Sequence, residues 1–107
     1  MTVDFDNRVM KQLGRRIKRR RNLLELSQEA LAERADIHRT QISFYENGER
    51  MPFTSTLIKL AAALGISVGR LLVGIKWEVV AGPPLRDPHE DDPWDPRQDD
   101  DGAAEEA

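Results

Sequence analysis

The chain has 107 residues, enough for one domain and a tail, and a formal net charge of −3. It has no cysteine, which excludes a disulfide framework, a thiolate metal site and a cysteine nucleophile, and suits a reducing cytoplasm. No apolar run approaches the ~20 residues needed to cross a bilayer, and Asp4 and Asp6 open the chain where a signal peptide would carry its apolar stretch.

The net charge conceals a division. Residues 82–107 hold ten acidic and two basic side chains, a net of −8. Residues 1–81 hold 14 basic and nine acidic ones, a net of +5. A basic body is what attraction to a phosphate backbone requires.

In chain order, residues 1–6 are expected to fray. A first helix is predicted over Asn7–Leu24, with Val9, Leu13, Ile17 and Leu24 at helical spacing. It is heavily basic, with Lys11, Arg15, Arg16, Lys18, Arg19, Arg20 and Arg21. Helix two is expected over Ser27–Arg34. The Ser27 hydroxyl suits an N-cap, Gln28 sits at the helix N-terminus where its side-chain amide and the free backbone amides can face a phosphate, and Leu31 and Ala35 point inward. Ala32 is small enough for the next helix to cross close by. Asp36 stands at the turn, and Asp tolerates left-handed backbone better than most residues. Helix three is expected over His38–Asn47, with Ile37, Ile42 and Tyr45 on the buried side and Arg39, Thr40, Ser43 and Phe44 left on the exposed side. Asn47-Gly48 ends it with a residue free to take a positive φ.

Glu49–Phe53 reads as a loop. Helix four is expected over Thr54–Leu64, with Leu57, Ile58, Leu60, Ala61 and Leu64 facing the core and Gly65 ending it. Ser67 can cap a short fifth helix, Val68–Val73. Ile75–Val80 alternates and is rich in β-branched residues, as in a short strand or an extended arm. Residues 82–107 are mostly Pro, Asp, Glu and Gly with almost no aliphatic side chain, a composition expected to stay disordered because it cannot bury enough apolar surface.

The ordered set Leu26–Ala32 (Leu-Ser-Gln-Glu-x-Leu-Ala), Glu46–Gly48, Pro52 and Leu57–Ser67 resembles the phage repressor and Cro type of DNA-binding domain, the XRE family, over roughly Leu13–Val73. The resemblance implies an all-α, five-helix, lambda-repressor-like domain with a helix–turn–helix at its centre. The domain is expected over residues 7–74, followed by a dimerisation arm at 75–81 and the acidic tail at 82–107. Relatives commonly have an apolar residue where Arg20 stands, a gap that Leu23 or Leu24 is expected to fill. They also have Ser or Thr where His38 caps helix three, and often Lys or Arg where Glu49 stands.

The resemblance further implies that helix three reads bases. Arg39 and Thr40 open it, and the fork of Arg matches the two major-groove acceptors of guanine. Ser43 is the next candidate. Phe44 either touches a thymine methyl or packs over the Arg50 loop, and Gln41 either joins it or lies against helix two. Gln28, Asn47 and Arg50 are the expected phosphate contacts, with helix-one arginines as further candidates or as a solvated cationic face. Arg21 and Glu46 stand where relatives join helices one and three by an ion pair. Ile75, Trp77 and Val79 are the expected dimer contacts, as an apolar segment additional to the core set; the other reading folds them back over Val9 and Leu13.

No cofactor is expected. The chain lacks a nucleophile–base set and a phosphate loop, and His38 and His89 alone do not make a zinc site. The reading is a sequence-specific transcriptional regulator, a repressor, that binds double-stranded operator DNA as a homodimer in a bacterial or phage-derived cytoplasm, associated with the nucleoid. The alternative is an antitoxin or interaction protein with the same domain, whose C-terminal segment binds a protein partner. The acidic tail then either solubilises, competes with DNA for the basic face, or docks that partner.

Overall fold

The computed structural model describes residues 2–77, 81–83 and 85. Five helices follow one another as α1 (Thr2–Leu23), α2 (Gln28–Ala35), α3 (Arg39–Glu46), α4 (Thr54–Ala63) and α5 (Val68–Leu71), and the described residues contain no strand. The chain divides into two compact units, Met1–Lys76 and Trp77–Ala107. All five helices belong to the first.

The core of the first unit comes from one stripe on each helix. Leu13 and Ile17 of α1, Leu31, Ala32 and Ala35 of α2, Ile42 and Tyr45 of α3, Leu60, Ala61 and Ala63 of α4, with Leu64 and Leu71, are all buried. Ile37, Leu57, Ile66, Val68 and Leu72 pack against this set from its edges. Through it α1 meets α3 and α5, while α4 meets α2 and α5.

Local chemistry sets the boundaries. The Ser27 Oγ accepts from the Ala30 N–H at 2.9 Å, and the Ser67 Oγ accepts from the Arg70 N–H at 3.1 Å; each satisfies an amide that the helix leaves without a partner. Asp36 ends α2 in the left-handed region (φ 56°, ψ 51°), which lets the Ile37 N–H turn back to the Ala32 carbonyl at 2.9 Å. Asp accepts that backbone at less cost than a β-branched residue would.

Four features differ from the sequence expectation. Helix α1 begins at Thr2, not Asn7; no Pro or Gly interrupts residues 2–7, and Asp4 in the first turn complements the helix dipole. Leu23 and Leu24 do not fill the gap beside Arg20, since both are exposed, Leu23 at 67 %. Arg20 occupies its own position: its Nε donates to the Leu64 carbonyl at 2.9 Å, so the head caps the end of α4 while the stem lies inward. Ile58 is 54 % exposed, because the buried face of α4 turns through Leu57, Leu60, Ala61 and Leu64. Helix α5 ends at Leu71, leaving Val73 exposed.

Of the expected arm, residues 75–77 form neither helix nor strand, and residues 78–80 lie outside the described residues. So do residues 84 and 86–107, and with them nearly all of the expected acidic tail.

Candidate nucleic-acid interface

The exposed start of α3 defines the site. His38 stands in extended backbone ahead of the helix (φ −67°, ψ 140°), and its Nδ1 accepts from the Thr40 N–H at 3.1 Å. The imidazole thus does the work usually left to a hydroxyl. Directly after this cap, Arg39 and Thr40 are exposed. One turn on, Ser43 and Phe44 are half-buried. Asn47, Glu49 and Arg50 are exposed beyond the end of the helix.

Phe44 and Arg50 meet: the guanidinium lies 4.5 Å from the centre of the ring, a cation–π contact. The same guanidinium donates from Nη1 to the Gln41 Oε1 at 3.3 Å. Gln41, Phe44 and Arg50 therefore form one interlocked surface, and Gln41 is turned toward the Arg50 loop. The packing of Phe44 against the Arg50 loop is one of the two readings its sequence position offered; the turn of Gln41 toward that loop was not legible, because the path that brings residue 50 back to residue 41 has no local pattern.

Two devices hold α3 in place. The first is the approach of α1: a Cβ on Gly14 would lie 2.3 Å from the Tyr45 carbonyl oxygen and 2.8 Å from that of Glu46. Only a residue without a side chain permits it. A Cβ on Gly48 would likewise meet the Lys11 Cγ at 2.9 Å, at a φ of +70°. Gly14 escaped the sequence reading, although a lone glycine inside a long helical pattern is a signal of close packing.

The second device is an ion pair. The Arg21 Nε donates to Glu46 Oε2 at 2.6 Å and its Nη2 to Oε1 at 2.9 Å, while Nη1 donates to the Leu26 carbonyl at 2.8 Å. The Gln28 Nε2 adds a third bond to the carboxylate, on Oε1 at 3.0 Å. The Glu46 side chain is fully buried and that of Arg21 is 11 % exposed. Hydrogen bonding to Glu46, chiefly, holds the Arg21 guanidinium above its ordinary pKa, against the opposing effect of burial. The network ties α1, the start of α2 and the end of α3 together. It also engages the Gln28 side chain within the protein.

Three further arginines clamp helix ends: Arg16 Nη1 on the Leu71 carbonyl (2.8 Å), Arg20 Nε on Leu64 (2.9 Å) and Arg34 Nε on Ala63 (3.0 Å). Cations there satisfy carbonyls that the helix leaves open. The sequence shows only a basic run; which of its members turn inward depends on the tertiary path.

Among the described residues no group of three His, Cys, Asp or Glu side chains could hold a metal ion. No helix among them is long and apolar enough to cross a membrane.

A capped, exposed helix set across a tight left-handed turn from its neighbour is a helix–turn–helix presented for the major groove. The family model described as helix-turn-helix matches residues 17–71, and the chain belongs to that family. It is a DNA-binding transcription regulator; its chemistry is binding, not catalysis. Over 68 residues it is 47 % identical to control protein C.SmaI of Serratia marcescens, covering 62 % of this chain and 81 % of that protein. Over 73 residues it is 36 % identical to control protein C.MunI of a Mycoplasma species, covering 67 % and 99 %. The fold is similar to the crystal structure of the restriction-modification controller protein C.AhdI from Aeromonas hydrophila, with a TM-score of 0.57 and 32 % identity over 58 % of this chain and 94 % of that one.

Proposed function

We propose that the chain is a controller of a restriction–modification gene set, binding operator DNA as a homodimer in the cytoplasm, on the nucleoid. The observation that carries this reading is the 47 % identity to a control protein over 81 % of its length, beside a family match over residues 17–71 that includes the exposed start of α3. In this reading Arg39 takes a guanine through its fork, and Thr40 and Ser43 meet adjacent base edges. Phe44 touches a thymine methyl with Arg50 stacked behind it. Asn47, Arg50 and the backbone amide of Gln28 meet phosphates.

One domain of this size covers only a few base pairs, and a two-fold axis doubles the site. The proposed dimer surface is the end of α5 with the segment after it. Val73 is exposed, Ile75 half-buried and Trp77 50 % exposed, while Val79 lies outside the described residues. Sedimentation tests this part: Trp77→Ala with Val79→Asp should give a folded monomer where the native chain is a dimer at tens of micromolar, and a native monomer or a dimeric variant overturns it. The strongly acidic residues 82–107, beyond the span matched by the family, are proposed either to compete with phosphate for the basic body or to dock a protein partner.

Selection of bound sequences from a random duplex pool tests the whole. The expected product is an inverted repeat with half-site centres about 34–36 Å apart or a multiple of that, found upstream of a methyltransferase–endonuclease gene pair. A consensus absent from every such promoter removes the controller assignment and leaves DNA binding. No consensus at all removes sequence-specific regulation.

A further inference from the structure

The structure sorts the basic run of α1 into two sets. Arg16, Arg20 and Arg21 are spent inside the protein, on the Leu71, Leu64 and Leu26 carbonyls and on Glu46. Arg8, Lys11, Arg15, Lys18 and Arg19 are all exposed, and among the described residues none of the five has an acidic partner within ion-pair distance. Positions 8, 11, 15 and 18 advance by three or four residues, so they share one helix face, and residue 19 lies beside it. Like charges at that spacing repel and weaken a helix; on this face only Asp4, one turn before Arg8, carries the opposite charge, and it stands at one end of the row.

We propose that this face of α1 is a second DNA surface, which holds the phosphate backbone flanking the base pairs read by α3. The inference rests on the DNA-binding reading above. One contact joins the face to the recognition surface: Lys11 abuts Gly48, between Asn47 and Arg50. From residue 8 to residue 19 the helix rises about 16 Å. Along one strand of B-DNA a phosphate charge falls every ~3.4 Å of axis, so the face is long enough to meet several. Its chemistry is sequence-independent: exposed guanidinium and ammonium groups on flexible stems suit phosphate oxygens and carry no base code.

The test uses the full chain and two variants that lower the net charge equally. Arg15→Gln with Lys18→Gln empties the middle of the face. Lys59→Glu makes the same change of two charges at an exposed position of α4, away from the proposed dimer surface. Each is titrated over about 50–200 mM salt against a duplex holding the selected site with long flanks, and against one trimmed to the site. On the long duplex the α1 variant should lose about 1.8 from the slope of log K against log salt, near 0.9 per phosphate contact. The fourfold rise in salt then weakens the variant about 12-fold less than the native chain. The control variant should keep the native slope, and the α1 variant should keep the native base preference. Equal slopes for the native chain and the α1 variant, or an equal fall in the control, overturn the second surface. An equal loss on the trimmed duplex also overturns it, because the cations then sit over the read base pairs. A native chain that selects no sequence at all fails the DNA-reading assignment instead, a separate outcome.

Discussion

Removing one partner of the Arg21–Glu46 pair should cost more than removing both. Glu46 is fully buried and receives three hydrogen bonds, two from Arg21 and one from Gln28. Arg21→Met leaves its carboxylate in the interior with the Gln28 amide alone. Stranding a buried charge in this way costs about 3–5 kcal/mol. A domain of this length has roughly 4–11 kcal/mol in total at 0.05–0.15 kcal/mol per residue, so the single variant sits at the margin of folding. One kcal/mol moves the melting point of so small a domain by about 4–8 °C, so the fall should be at least about 12 °C. Arg21→Met with Glu46→Leu removes the stranded charge and fills the space with apolar atoms, and should recover most of the loss. Thermal and urea melts followed by circular dichroism close the cycle. A single variant that loses less than about 1 kcal/mol would behave like a solvent-screened surface pair and refute the reasoning, as would a double variant no better than the single one.

Gly14→Ala should destabilise by at least about 1 kcal/mol through overpacking, since its Cβ would strike the Tyr45 carbonyl oxygen. In an open helix the same change stabilises by about 1 kcal/mol, so a rise in melting point would show that α1 and α3 do not approach as described. Deleting residues 82–107 should leave the cooperative melt intact, because that stretch has almost no aliphatic side chain to contribute to a core. The same deletion should tighten binding to random DNA at low salt, with the gain shrinking as the Debye length falls toward ~8 Å; identical curves for both forms would show that the charge of −8 does not oppose binding.

Much of the fold was legible because its signals are local. The Ser27 and Ser67 caps, the left-handed turn at Asp36, and the glycines after α3 and α4 are each written in one or two residues and stand where the pattern put them. Ile17, Leu31, Ile42 and Leu60 are buried at their helical spacing. The misreadings within the core share a cause: they depend on which neighbour a helix meets. Ile58 looks like a core residue until α4 is turned by its contacts with α2 and α5. Arg20 looks like a defect in an apolar stripe until the Leu64 carbonyl comes within its reach. At the site, Arg21 and Glu46 came from resemblance to a family, and no spacing rule would have joined residues 25 apart. The engagement of Gln28 by Glu46 and of Gln41 by Arg50 had no sequence signal, because a glutamine can serve either water or a neighbour until the chain brings that neighbour near.

The central claim is that the exposed start of α3 reads base edges, and Arg39 is where it is most open to attack. Arg39→Ala should be measured beside the native chain on the selected operator, on single-base variants of it and on random duplex at one salt concentration. The account predicts a loss of about 1–3 kcal/mol on the best site, relaxed preference at one base pair in each half-site, and little change on random DNA. An equal loss on operator and random duplex, with base preference intact, would make Arg39 a phosphate contact and contradict the claim.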